Sequence, residues 1–360
     1  MKKILLTLLI FAAFFVDAQI IRKYSNEFLN IGAGARGLAM GGAVISSQND
    51  VYSPMWNPAG LIGIDRDWQG AAMHAEYFES IAKYDYIAYA KPLDNNAGVF
   101  AISVVRLGVD NILNTTQLID AEGNIDYDKI TSFSQSDYAA IASYAFRPGG
   151  NQRLAVGVNA KLVYRNVGKF ASGYGFGFDV GVLYNSDTGW NYGANLRDAT
   201  TTVNFWTVNQ KELSAVVNGE EFNPAPKDKM EITMPKLNLG MSRNFEINRD
   251  LAFQPEAGIN VDFAKTAALI STDFASITPY AGGELKFQDM IFVRVGVNRF
   301  QNITDIEDLK RKVSFQPSAG IGIKYQGLTL DYAITNSGIG GSNFYSNFFS
   351  LKLDMGDFRN

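Results

Sequence analysis

LAVGVNAKLVYR, residues 154–165, divides by parity. Leu154, Val156, Val158, Ala160, Leu162 and Tyr164 lie on one face of an extended chain, and Ala155, Gly157, Asn159, Lys161 and Arg165 on the other. Successive side chains of a strand point to opposite sides, so period two marks a strand with one apolar face. The split recurs after Leu251, where Phe253, Ala257, Ile259, Val261 and Phe263 alternate with Gln254, Glu256, Gly258, Asn260 and Asp262. It recurs again in Ile291, Val293, Val295 and Val297 against Arg294, Gly296 and Asn298. In a soluble sandwich the apolar face would cover a core. In a membrane barrel it meets lipid, and the charged face lines the lumen. Alternation alone leaves both open.

Connection lengths separate the two. Fourteen strands are expected near residues 67–78, 81–92, 97–108, 133–147, 151–166, 173–186, 189–198, 232–245, 250–263, 274–287, 290–301, 313–325, 328–336 and 344–355. Every even-numbered connection is a short turn: 93–96, 148–150, 187–188, 246–249, 288–289 and 326–327. The odd-numbered connections include the long stretches 109–132, 199–232 and 302–312. Short turns at one end and long loops at the other are the habit of outer-membrane barrels, whose short side is periplasmic. Strands of about ten residues or more, tilted, cross the apolar band of a bilayer. Trp68, Tyr77, Tyr84, Tyr164, Tyr184, Trp190, Tyr325 and Tyr345 near strand ends are candidates for an interfacial girdle. The composition agrees, with 34 glycines, 17 tyrosines and 25 phenylalanines and no long helical pattern. The expected fold is all-β, a transmembrane antiparallel barrel occupying residues 66–360. The aromatic-rich last strand, Tyr345 to Met355, is where an assembly machine would read it.

The chain begins with Lys2 and Lys3, an apolar run from Ile4 to Val16 and a small residue at Ala18, the pattern of a secretory signal peptide over residues 1–18. Its loss removes Lys2, Lys3 and Asp17 and takes the formal charge from −4 to −5, which disfavours nucleic acid as a partner. The absence of cysteine excludes disulfides, thiolate nucleophiles and thiolate metal sites. No later stretch is apolar for long enough to span as a helix, so a membrane location requires a closed barrel. Export without disulfides suits the outer membrane of a Gram-negative bacterium.

Between signal and strands lies FLNIGAGARGLAMGGAVISSQNDVYSPMWNPAGL, residues 28–61, within an expected plug or hatch of residues 19–65. It holds six glycines from Gly32 to Gly60, too many for a stable free helix. Its apolar residues Ile31, Leu38, Met40, Val44 and Ile45 still need a wall to pack on. Such a segment orders inside an enclosure. In these residues the chain resembles the PorV/PorQ family of Bacteroidetes outer-membrane proteins, related to FadL-type barrels. Ala35, Arg36 and Gly37 with Met40, Gly41 and Gly42 match the family's GARxxxMGG run, and Asn57, Pro58 and Ala59 the NPA motif of the FadL hatch; Gly32, Gly34 and Gly60 complete the plug motif. The resemblance covers roughly 35 residues, and only the repeat pattern supports it beyond them.

The resemblance implies an accessory barrel of type IX protein secretion or the linked gliding machinery. Such a barrel would sit among outer-membrane lipids and bind translocon proteins or secreted cargo through its long extracellular loops. The stretch 199–232 supplies an apolar candidate surface in Phe205, Trp206, Val208, Leu213, Val216, Val217 and Phe222. The alternative is a FadL-like channel for hydrophobic small molecules, with the plug as gate. It calls for an apolar pocket near the extracellular end and a kinked strand, which Phe100, Val104 and Gly108 in the third strand permit.

No enzyme is expected. The single histidine, His74, lies in the first strand, without the mutually arranged groups that catalysis requires, and no serine sits in a nucleophile elbow. Asp120, Glu122, Asn124, Asp126 and Asp128 alternate as in a calcium loop but lack its sixth-position glycine and closing glutamate, so no metal or cofactor is assigned. Asp305 to Lys312 orders acids before bases, as a short helix would. Lys161, Arg165, Asp179, Glu256, Asp262, Glu284, Lys286, Arg294, Lys324 and Lys352 are expected to face inward with mixed signs. That pattern suits a lumen neutralised by internal pairs, with Arg36 of the plug as the counter-charge for one acid.

Overall fold

A computed structural model describes residues 25–65, 67–120, 122–217, 220–222, 229–304, 311–336 and 344–356. The strands are β1 (Gln69–Tyr77), β2 (Ala82–Pro92), β3 (Val99–Asn114), β4 (Thr131–Phe146), β5 (Leu154–Val167) and β6 (Ala171–Asn185). They continue as β7 (Trp190–Arg197, resumed at Thr202–Val208), β8 (Met230–Thr233, resumed at Lys236–Arg243), β9 (Leu251–Asp262) and β10 (Ser276–Phe287). The last four are β11 (Ile291–Thr304), β12 (Arg311–Tyr325), β13 (Leu328–Asn336) and β14 (Tyr345–Asp354). Each pairs antiparallel with its neighbours, and β14 returns to β1 with Gln69 opposite Asp354 and Glu76 opposite Asn347. The result is a closed 14-strand barrel without free edges.

The outer face is apolar because the phase of each strand puts its large aliphatic and aromatic residues outside. Leu162, Phe176, Val295 and Ile321 are all more than half or near half exposed on it. On β10 the outward run from Phe287 to Ile277 spans ten steps, about 33 Å along the strand and about 25 Å across a membrane at a tilt of roughly 40°. That is the height of an outer-membrane apolar band. On β1 to β3 the band stops lower. His74, Asp85 and Arg106 face outward there in one row, with His74 Nδ1 at 2.7 Å from Asp85 and Arg106 Nη1 at 3.0 Å. His74 therefore belongs to the outer wall and not to the lumen. Tyr77 and Tyr84, expected in the girdle, instead face inward and are buried, because the lumen side of β1 and β2 is itself apolar. Tyr184, Tyr325 and Tyr345 do lie outward and exposed.

Three of the expected long loops are shorter than the alternation suggests. β3 continues to Asn114 after a bulge between Val109 and Ile112, where Asn111 has φ 57°. β11 continues to Thr304 after a bulge between Asn298 and Gln301, where Arg299 has φ 50°. β7 breaks at Asp198 and Thr201, at φ 51° and 63°, and resumes as Thr202–Val208 between β6 and β8. An extra residue in one strand shifts the phase of the side chains beyond it. Before the break in β7, Gly193 and Asn195 point inward; after it, Thr202 and Asn204 do. Arg311 and Lys312, read as the end of a helical turn, begin β12; Asp305 to Lys310 lie outside the described residues, as does the signal peptide.

Candidate functional site

Residues 25–65 fill the lumen. The glycine-rich run wraps a single side chain, Trp56, whose Nε1 donates to Ala33 O at 2.7 Å. The indole lies where side chains on Gly32 and Gly37 would stand and close against Gly42, and the Tyr52 ring lies where one on Gly34 would. Gly32 and Gly34 also adopt φ of 90° and 84°, which only glycine does without cost. A short helix α1 (Ala35–Ala39) follows, and its Ala35 N–H donates to Ser350 Oγ of β14 at 3.0 Å. Asn57 joins three pieces. Its Oδ1 caps the turn at Pro58–Gly63 by accepting from Ala59 N, and its Nδ2 donates to Ile45 O at 2.9 Å and to Val182 O of β6 at 3.1 Å. Gly60 packs on the Gln48 carbonyl. The residues singled out by motif thus meet in one body.

Charge fastens that body to the wall. Arg36 grips Glu284 of β10 with Nε to Oε2 at 3.1 Å and Nη2 to Oε1 at 3.2 Å. Glu284 also accepts from Arg294 Nε of β11 at 2.6 Å, and Arg294 reaches Asp331 of β13 at 2.6 Å. Across the lumen Asp50 pairs with Lys352 of β14 at 3.2 Å. Burial alone would raise the Asp50 carboxyl, but the Lys352 ammonium, the Tyr52 N–H and the Gln48 amide outweigh it and hold it below the ordinary value. The Ser46 N–H donates to Glu256 Oε1 of β9 at 2.8 Å. A second buried group, Lys161 with Asp179 at 2.6 Å and Asp198 at 2.5 Å, stands behind the break in β7.

The wall makes room for the plug with glycines of its own. Gly157, Gly181, Gly193, Gly282, Gly296 and Gly320 all occupy inward positions from β5 to β12, and a side chain on any of them would meet the plug. On Gly296 it would overlap the backbone at Met40 and Gly41, and on Gly157 the backbone at Pro58 and Ala59. The signal was present as glycine in the inward phase of otherwise polar rungs.

Above the plug, toward the long loops, the lumen holds a cavity of about 840 Å³. Its floor and one side are apolar: Phe28, Ile31, Leu38 and Trp56 of the plug with Tyr77, Leu107, Val109 and Phe348 of the wall. The other side is polar, with Asn238, Asn260, Thr278, Asn298 and Gln301 from β8 to β11. Gly108 stays in the regular ladder of β3, and the bulge follows just beyond it.

The apolar candidates of 199–232 separate. Phe205, Trp206 and Val208 belong to the resumed β7, so they are barrel wall and not loop. Phe205 faces outward, 53% exposed, next in register to Tyr174. Trp206 is held under the Arg165 guanidinium, 5.1 Å from the ring centroid. Leu213 ends a helical turn, and Val216, Val217 and Phe222 lie in a two-stranded ladder beyond the wall. The acidic loop satisfies itself, with Asp120 accepting from Glu122 N, Asn124 N and Asn124 Nδ2. Among the described residues no cluster of His, Asp and Glu is arranged to hold a metal.

No protein-family model and no curated protein matches the chain. Among solved structures it is similar to the Pseudomonas putida toluene transporter TodX, at 13% identity and TM-score 0.56 over 93% of this chain and 98% of that one. It is similar also to the Ralstonia pickettii toluene transporter TbuX, at 13% identity and TM-score 0.54 over 90% of this chain and 98% of that one. The CymD monoaromatic hydrocarbon channel aligns at 12% identity and TM-score 0.52 over 90% and 96%. The chain therefore shares the fold of these channels, a closed 14-strand antiparallel β-barrel.

Proposed function

We propose that the protein is an outer-membrane channel of the FadL type that admits a small hydrophobic or amphipathic molecule to the lumen above its plug. The observation that carries this is the cavity of about 840 Å³, within the size range of small-molecule sites and apolar on its plug side. The named hydrocarbon channels of similar fold support the same reading. The accessory role in type IX secretion or gliding rests on the plug motif alone. Its loop surface is diminished, since Phe205, Trp206 and Val208 lie in the wall.

Titration of the protein in lipid nanodiscs with a fluorescent naphthylamine should give saturable binding at one site, with energy transfer from Trp56 on the cavity floor. Leu107→Gln, which places an amide on the apolar side, should weaken that binding roughly tenfold, equivalent to about 1.4 kcal/mol, the lower end of the value of a buried leucine. Binding that does not saturate, or an affinity unchanged in the variant, would dismiss the cavity as the site.

A further inference from the structure

We propose that the outer wall at β1 to β3 is the interface of a dimer of this chain within the membrane, its two copies related by a two-fold axis along the membrane normal. The dimer is independent of what the lumen holds. Six ionisable side chains face outward there: His74 and Glu76 on β1, Lys83 and Asp85 on β2, Arg106 and Asp110 on β3. Asp85 stands seven residues above Pro92, about 18 Å across the membrane at a tilt of roughly 40°. On β10 the outward face is still apolar at that height and stays so to Ile277. Acyl chains solvate neither carboxylates nor guanidinium, so a charged row at this depth needs a polar cover.

The row is complementary to itself. Register partners climb from Leu285 on β10, two residues above the periplasmic end of its strand, through Phe349 on β14 to Asp85 on β2, so each step toward β3 rises. With strands about 4.8 Å apart and about 3.3 Å per residue, one strand step rises roughly 3 Å and two residues along a strand roughly 5 Å. Glu76 and Arg106 therefore lie at nearly one height, on either side of Asp85. A two-fold axis between β1 and β2 sets Glu76 of each copy against Arg106 of the other, and His74 and Lys83 of each against Asp85 of the other. Isologous contacts repeat in this way, residue i on j and j on i.

Below the row, shape follows the same symmetry. An apolar groove of about 540 Å³ is lined by Ala72 of β1, Phe349 and Leu351 of β14, and Leu330 and Tyr332 of β13. On the other side of the axis Ile87, 62% exposed, and Tyr89 stand out from β2. The two-fold brings Ile87 and Tyr89 of each copy to the groove of the other.

The chain has no cysteine, so a single introduced one reports its own neighbours. Ala72→Cys, beside the axis, treated with a short bismaleimide in native membranes, should give at least tenfold more cross-linked dimer than Leu162→Cys on β5 or Val295→Cys on β11, both exposed on other faces of the wall. Adding Arg106→Glu should abolish that product by setting two carboxylates together. Arg106→Glu with Glu76→Arg should restore it, because every contact between the copies then reverses in sign. Heat-modifiable migration on a gel checks that each variant is a folded barrel. Ala72→Cys giving no more dimer than the controls, or a product with the mass of a different protein, overturns the inference. So does a dimer that Arg106→Glu leaves intact or that the double reversal fails to restore.

Discussion

Arg36→Glu should unseat the plug while leaving the barrel assembled. The Arg36 and Glu284 side chains are only 15% and 3% exposed, and the pair is bidentate. The variant removes one cation and sets a second carboxylate against Glu284, which then shares Arg294 and Lys286, 2.6 and 3.8 Å away. Breaking a buried pair costs about 3–5 kcal/mol, against 0–1 for an exposed one. The barrel's own ladders do not involve Arg36, so the loss falls on the plug. In planar bilayers the variant should show steady ion conductance where the wild type is closed. Arg36→Lys, which keeps the charge and loses the fork, should fall between them. A closed Arg36→Glu channel with unchanged heat stability would show that the ion pair does not anchor the plug.

Gly296→Val should have a similar effect by a different cause. The added side chain would overlap the backbone at Met40 and Gly41, which cannot rotate away as a side-chain tip can. Overpacking usually costs 1–3 kcal/mol, and a backbone overlap inside a closed wall puts this case at about 3 kcal/mol or more. Valine suits a strand, so the barrel itself has no reason to object. The expected product is a folded, conducting barrel whose residues 25–65 become accessible to protease. Gly108→Val is the control, because its side chain would point outward and meet only the movable end of Arg106. A protease-resistant, closed Gly296→Val barrel would contradict the packing described for the plug.

The strand count, the two-ended asymmetry of the turns and the plug motif were legible because each depends on local pattern. Period two reports one apolar face wherever the ladder is regular, and in LAVGVNAKLVYR only Val163 breaks it, an apolar residue in the inward phase. It fails at Asn111, Asp198, Thr201 and Arg299, where left-handed residues at bulges reset the phase. Strand beyond each bulge then resembles loop, which is why Phe205 and Trp206 read as a loop surface in the sequence. The role of Arg36 was readable, since a plug cation among inward acids has few places to go. Its partner Glu284 was not, because choosing among the four inward acids Asp179, Glu256, Asp262 and Glu284 requires the register between strands far apart in sequence. The cavity is a product of closure: Leu107 and Asn298 face each other across the lumen only once β14 meets β1.

Native mass spectrometry of the barrel, extracted in mild detergent from the membrane that makes it, tests the central claim most directly. The account predicts a protein carrying one small amphipathic molecule in the lumen, released when Arg36→Glu frees the plug. A barrel with an empty lumen that arrives instead bound to a translocon barrel or to secreted proteins would contradict it and restore the accessory role.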